Sequence, residues 1–215
     1  MEFYLGDLHK LYERTPLPIQ EPIVVHTVAG AGKTTLVRSW IRRAPQLKAV
    51  TGGQPDPPNL EGVGILRPQG RADIVDEYPA VADITGAKIL LADPLQHRGT
   101  TFPAHFIGRR THRFGKSTCE LLKSWNINCS ADKEDKVLRS GLYESELVGT
   151  VIAVDDDAAE LLEAHSAQFV TPCQALGLTC EVVTAVSTVP LEEADPVNRY
   201  IACSRHSQQL LILEG

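Results

Sequence analysis

The stretch that most restricts what this chain can fold into runs from Ile23 to Thr35. It reads Ile23-Val24-Val25-His26-Thr27, then Val28-Ala29-Gly30-Ala31-Gly32, then Lys33-Thr34-Thr35. This is a buried strand, a glycine-bearing turn and a helix start, the order a phosphate-binding loop requires. Backbone N–H groups from Thr27 to Thr35 then converge on one point, where the helix dipole also favours negative charge. Gly30 and Gly32 permit conformations that a Cβ would obstruct. Lys33 is expected to reach the β and γ phosphates of a nucleotide, and the Thr34 hydroxyl to sit on Mg²⁺. One position departs from the pattern, because Thr27 stands where the loop's first glycine is expected. A glycine-rich turn with a chance Gly-Lys-Thr is the plain alternative, and the flanking strand and helix weigh against it.

Two later strands end in polar groups. Ala72-Asp73-Ile74-Val75 leads into Asp76-Glu77-Tyr78, and open α/β sheets bind ligands at that C-terminal edge. Asp76 suits Mg²⁺ held through water, and Glu77 suits the polarisation of an attacking water. Lys88 to Gln96 repeats the pattern, with Gln96 placed to sense a γ-phosphate. The segment Arg109-Arg110-Thr111-His112-Arg113-Phe114-Gly115-Lys116 is the strongest basic cluster, with an aromatic inside it. It suits a nucleic-acid backbone, through Arg109, Arg110, Phe114 and Lys116, or an arginine offered to transferring phosphate; a solvated basic face is the alternative.

The chain has 215 residues, 43% of them hydrophobic, enough for a genuine core, and its net charge of −6 confines nucleic-acid contact to local basic patches. No apolar run approaches a membrane span, and Glu2 and Asp7 stand where a secretory signal would be basic, so residence in the cytosol is expected. Cys119, Cys129, Cys173, Cys180 and Cys203 show no CxxC or disulfide spacing and read as reduced thiols. His97, His105, His112 and Cys119 share a stretch but lack regular zinc-ligand spacing.

Elsewhere, Phe3, Leu5, Leu8, Leu11 and Tyr12 predict a short amphipathic helix that Pro16 and Pro18 end. A helix is predicted from Lys33 to Arg43, a strand over Lys48 to Thr51, and Gly/Pro-rich loops over Gly52 to Pro58 and Gly62 to Gly70. Cys119 to Trp125 reads as helix, and Ser130 to Arg139 as a polar loop or exposed helix. Thr150 to Val154 is a buried strand whose Asp155-Asp156-Asp157 caps a helix over Ala158 to His165. Glu181 to Val186 is strongly β-prone, Asn198 to Arg205 reads as a helix presenting Arg205, and Leu210 to Leu213 as a last strand. The alternation predicts an α/β, doubly wound, mainly parallel architecture.

With these residues assembled, the chain resembles the superfamily 1 viral RNA helicases, and among them the first-protein family of the plant-virus triple gene block. The resemblance spans the whole length. His26 to Thr35 matches motif I, Asp76-Glu77-Tyr78 motif II, Leu91 to Gln96 motif III and Thr111-His112-Arg113 part of motif IV. Pro172 to Thr179 matches motif V, and Ile201-Ala202-Cys203-Ser204-Arg205 motif VI. The resemblance implies a P-loop NTPase with two RecA-like lobes, residues 21–104 and 105–215, after an N-terminal helical segment at 1–20. ATP and Mg²⁺ would be its cofactors. Lys33, Glu77, Gln96, Arg113 and Arg205 would be catalytic, Gln174 would join the loop in holding nucleotide, and Thr34 and Asp76 would hold the metal. It further implies RNA-stimulated hydrolysis, transport of single-stranded viral RNA through plasmodesmata and suppression of RNA silencing in the host cytoplasm. Other viral movement proteins, coat protein and host silencing factors would be partners, with self-association left open. Two rival readings stay open: a non-enzymatic RNA-binding movement and silencing-suppressor protein using nucleotide only as a switch, and a small P-loop kinase.

Overall fold

The computed structural model describes residues 2–57 and 63–215, so part of each expected Gly/Pro-rich loop lies outside the described residues. The chain divides into two compact units, one running to Arg109 and the other from Arg110 to Gly215.

The first unit holds α1 (Glu2–Leu11), β1 (Glu13–Arg14), β2 (Ile23–Thr27), α2 (Lys33–Arg43), β3 (Ala49–Thr51), β4 (Ile65–Leu66), β5 (Ile74–Asp76), β6 (Ile89–Ala92) and β7 (Phe106–Gly108). The sheet order is β1-β7-β2-β6-β5-β3-β4, and every pairing is parallel except that of β1 with β7. Because β7 pairs with β2, the first unit ends after Arg109 rather than after residue 104. The N-terminal segment is part of this unit, since Tyr4, Leu8 and Tyr12 enter its core; Leu11, expected on the apolar face, is exposed.

The period-2 pattern of the strands explains the layering. Ile23, Val25, Ile74, Ile89, Leu91 and Phe106 face α1 and α2 with Leu8, Val37 and Trp40. Val24, Val50, Val75, Leu90 and Ala92 face the other way, against Tyr78, Ala72 and Ala87. Turn and loop residues cover that second face, a simpler cover than the helix layer of a doubly wound sheet. Helix α1 is fixed by Asp7, which accepts from Trp40 Nε1 at 2.9 Å, and by the edge-on Tyr4–Trp40 ring contact at 5.1 Å.

The second unit contains α3 (Lys116–Ser124), β8 (Lys136–Gly141), β9 (Thr150–Ala153), α4 (Asp156–Ala164), α5 (Pro172–Ala175), β10 (Cys180–Ser187), α6 (Pro196–Cys203) and β11 (His206–Glu214). Its sheet, β8-β11-β10-β9, is wholly parallel. Ile152, Val183, Ala185, Leu210 and Ile212 bury against α5 and α6, and Val151, Ala153, Val186, Leu211 and Leu213 against α4. Asp155 caps α4, accepting from the Ala158 N–H at 2.7 Å. The polar run from Ser130 stays loop up to Asp135, as expected, and enters edge strand β8 from Lys136, where pairing with β11 supplies the backbone partners its exposed side chains do not. Helix α6 stops at Cys203, so Arg205 follows the helix instead of riding on it.

Asp135 ties this unit together. Its carboxylate accepts from Gly115 N–H at 2.8 Å, Thr118 Oγ1 at 2.6 Å and His206 Nε2 at 3.0 Å, joining α3 to the start of β11. Burial alone would raise its carboxyl, but the His206, Thr118 and Gly115 donors outweigh that and hold it well below the usual carboxylate range. A depressed carboxylate contributes stability that is complete above its unfolded-state value, about 4, and lost as pH falls toward the folded one. Asp135→Asn is expected to lower the unfolding free energy of the second unit by about 2 kcal/mol at pH 7 and to flatten its loss of stability below pH 4. Urea titrations between pH 3 and 7 check both.

Candidate functional site: a phosphate loop with buried carboxylates

Parallel strands deliver their C-terminal ends to one edge, so the turns after β2, β5 and β6 meet. Between β2 and α2 the backbone turns through Gly30 and Gly32, with φ of 76° and 84°, a left-handed region that favours glycine. At Gly32 a Cβ would meet nothing within 4 Å, so conformation and not crowding calls for glycine there. The first-turn amides of α2 lack intrahelical partners by geometry and form the expected anion seat. The loop is braced from behind, where Tyr12 Oη donates to the Ala31 carbonyl at 3.3 Å. Burial pushes the Tyr12 hydroxyl up to about 12, so it stays a donor.

Lys33 is buried at the centre. Its Nζ lies 3.3 Å from Glu77 Oε1 and donates to Thr27 Oγ1 at 3.2 Å. The residue that departs from the glycine pattern thus supplies the lysine's hydroxyl acceptor. Burial opposes the ammonium, yet Glu77, Asp93 and Asp76 together raise its pKa and keep it charged. Asp76 is also buried; desolvation first, and then the neighbouring Glu77 charge, push its carboxyl up. Glu77 goes the other way, because Lys33 and then the His97 hydrogen bond outweigh its burial and hold it below the usual range. Two adjacent carboxyl groups are therefore driven apart in acidity, as acid/base sites require.

Glu77 adopts φ 48° and ψ 47°, a left-handed conformation rare for a residue with a side chain. Its Oε2 accepts from His97 Nε2 at 2.8 Å and from the Asp93 N–H at 3.4 Å. Asp93, fully buried, accepts from the Leu95 N–H at 3.2 Å and from Gln96 Nε2 at 2.6 Å, so the Gln96 amide is held in a fixed direction. His97 and Tyr12 are site residues that lie outside the motifs; the pairing of β5 with β6 brings His97 to Glu77, and Tyr12 reaches the loop from the end of α1.

The residues fit a divalent cation. Thr34 Oγ1 donates to Asp76 Oδ2 at 3.4 Å, and Asp76 Oδ1 is buried without a hydrogen-bond partner. A buried carboxyl oxygen without a hydrogen-bond partner, beside a hydroxyl, is an oxygen donor set that suits Mg²⁺ when the ion is also held by phosphate and water, and a bound cation would favour the ionised form.

Of the other expected residues, Arg113, Phe114, Gln174 and Arg205 belong to the second unit. Gln174 closes a capping box on α5, its Oε1 accepting from the Thr171 N–H at 2.8 Å. Arg113 Nη1 donates to the Ser204 carbonyl at 3.2 Å, and Arg205 donates to the Ile201 carbonyl and the Ser204 hydroxyl. Phe114 is fully buried beside the His206 ring, so its face cannot stack on a base. Arg109 belongs to the first unit and pairs with Glu13, whereas Arg110 pairs with Asp132 and Lys116 with Glu134 in the second. Among the described residues no group of three or more His, Cys, Asp and Glu side chains could hold a metal, and no helix is long and apolar enough to cross a membrane.

A family model of the viral superfamily 1 RNA helicase core domain matches residues 23–214. The chain belongs to that family. It is 51% identical to the movement and silencing protein TGBp1 of Lily virus X over 99% of this chain and 100% of that one. It is 44% identical to the protein of the same name from Plantago asiatica mosaic potexvirus, over 93% of this chain and 90% of that one. With these relatives the chain falls among the TGBp1 movement and silencing proteins. A solved arterivirus nonstructural protein 10 helicase, in complex with DNA, superposes with a TM-score of 0.57 at 20% identity, over 98% of this chain and 56% of that one. The helicase core thus has the P-loop NTPase fold, with the phosphate loop and its carboxylates on one sheet edge.

Removing Lys33 would leave three carboxyl groups crowded and one desolvated carboxylate without its cation. Lys33→Ala is expected to lower the stability of the nucleotide-free first unit by about 3 kcal/mol at pH 7, read by urea unfolding.

Proposed function

We propose that this chain is an RNA-binding ATPase that hydrolyses ATP to ADP and phosphate. In this reading it uses the cycle to assist movement of viral RNA between plant cells through plasmodesmata, and it suppresses RNA silencing in the host cytoplasm. The observation that supports hydrolysis most directly is the meeting of Lys33, Asp76 and Glu77 at the edge of one parallel sheet, with Glu77 ionised. The loop amides and Lys33 would bind the triphosphate, and Thr34 with Asp76 would hold Mg²⁺, which supplies charge neutralisation at the phosphates. Glu77 would orient the attacking water, Gln96 would contact the γ-phosphate, and Arg113 and Arg205 are proposed to stabilise the charge that develops there. The names of the relatives support movement and silencing as the setting of this activity.

For RNA contact, Arg110 and Lys116 in the second unit and Arg109 in the first remain the candidates, without Phe114. Their carboxylate partners are solvent-exposed, and exposed pairs are worth about 0–1 kcal/mol, so an RNA phosphate can take the carboxylate's place. Each phosphate contact to a single strand contributes about 0.7 to the slope of log affinity against log salt. Arg109→Ala with Arg110→Ala is therefore expected to flatten that slope by about 1.4, and an unchanged slope would place the RNA surface elsewhere.

Phosphate release from Mg²⁺-ATP, with and without single-stranded RNA, tests the enzymatic reading. RNA is expected to stimulate release, and Lys33→Ala is expected to reduce it to about 1% of the parent rate or less. RNA binding with no release in either condition would leave a binding protein that uses nucleotide as a switch.

A further inference from the structure

The two oxygens of Glu77 have different partners. Among the described residues Oε1 has Lys33 Nζ as its partner, at 3.3 Å, whereas Oε2 accepts from His97 Nε2 at 2.8 Å and from the Asp93 N–H at 3.4 Å. An ionised carboxylate can only accept, so His97 Nε2 carries the hydrogen. A polyphosphate arriving at the loop competes for the Lys33 ammonium, and a lysine drawn to phosphate leaves Oε1 without its cation. Glu77 is then a residue in left-handed backbone, φ 48°, whose side chain is held through Oε2 alone. Of the two donors there, the histidine is much the shorter.

We infer that His97 is the positioning residue of Glu77: its imidazole clamps Oε2 so that Oε1, vacated by Lys33, is aimed at the attacking water. This rests on the hydrolytic reading above. The ion pair between Lys33 and Glu77 is then a resting contact, broken by substrate, and the histidine contact is the one that lasts through the cycle. The backbone of His97 is fixed independently of its ring, because its N–H donates to the Pro94 carbonyl at 3.3 Å at the end of the turn Pro94–Gln96. A side-chain substitution should therefore remove the clamp and leave the turn standing. His97 touches neither the loop amides nor Thr34 in this arrangement, so nucleotide affinity should not depend on it.

The test compares the full-length parent with His97→Ala and His97→Gln, using steady-state hydrolysis of Mg²⁺-ATP and equilibrium binding of a fluorescent ADP analogue. Displacing a catalytic group by an ångström costs about 100-fold. His97→Ala should accordingly lower kcat about 10- to 100-fold while KM and the analogue's Kd stay within about twofold. In His97→Gln the amide N–H replaces Nε2–H, and kcat should recover to within about threefold of the parent. An unchanged kcat in His97→Ala, a loss confined to KM or Kd, or a glutamine variant no better than alanine would each overturn the assignment. Preserved analogue binding shows that both variants are folded. A parent chain that binds the analogue but releases no phosphate overturns the hydrolytic reading itself, and the inference with it, a result distinct from an active parent with an indifferent His97.

Discussion

The first unit depends on how one buried ammonium is balanced. Lys33 cannot be desolvated without anions, and the fold supplies Glu77 at 3.3 Å with Asp76 and Asp93 nearby. Those anions come from the ends of β5 and β6, which can reach the turn after β2 only because the strands between them run parallel. The need to neutralise Lys33 and the need to present a carboxylate near phosphate are thus met by one arrangement. An antiparallel sheet would send alternate strand ends to opposite edges and break it.

The same balance sets what a ligand must do. Lys33 is engaged by Glu77 and Thr27, so under the proposed function an anion binding there has to replace those interactions. This lowers net affinity but ties binding to a rearrangement of Glu77. A hydroxyl at Thr27 gives the ammonium a neutral second partner at 3.2 Å, a resting place that glycine would not provide. The departure at this position therefore has a physical use, and the turn is compatible with it because Gly30 and Gly32, not Thr27, adopt the left-handed conformations.

Much of this was legible in the sequence because it depends on short-range rules. The glycines, Lys33 and Thr34 follow from local backbone needs, and the strands ending at Asp76 and Ala92 follow from apolar runs bounded by polar residues. What stayed hidden depends on register and competition. His97 follows the motif III stretch directly, but its contact with Glu77 is visible only once β5 and β6 are paired. Gln174, three residues after Thr171, closes a capping box through its Oε1, a local use of the side chain that the motif does not announce. Phe114 sits inside a basic run that suggests exposure, but the chain turns it inward to pack beside His206. Lys136 to Arg139 is too polar to announce a strand, and only pairing with β11 makes it one.

The basic segment from Arg109 to Lys116 shows why a charge count alone misleads. Arg109, Arg110 and Lys116 each have an acidic partner, Glu13, Asp132 and Glu134, so the surface is closer to neutral than the sequence cluster suggests. Such exposed pairs cost little to open, and a polyanion binding there would exchange one acidic partner for another while releasing its own counterions. With a net charge of −6 the chain has no general attraction for RNA at a distance. Under the proposed function, selectivity for a polyphosphate chain over isolated anions comes from opening several weak pairs together, since a single phosphate gains too little from any one of them.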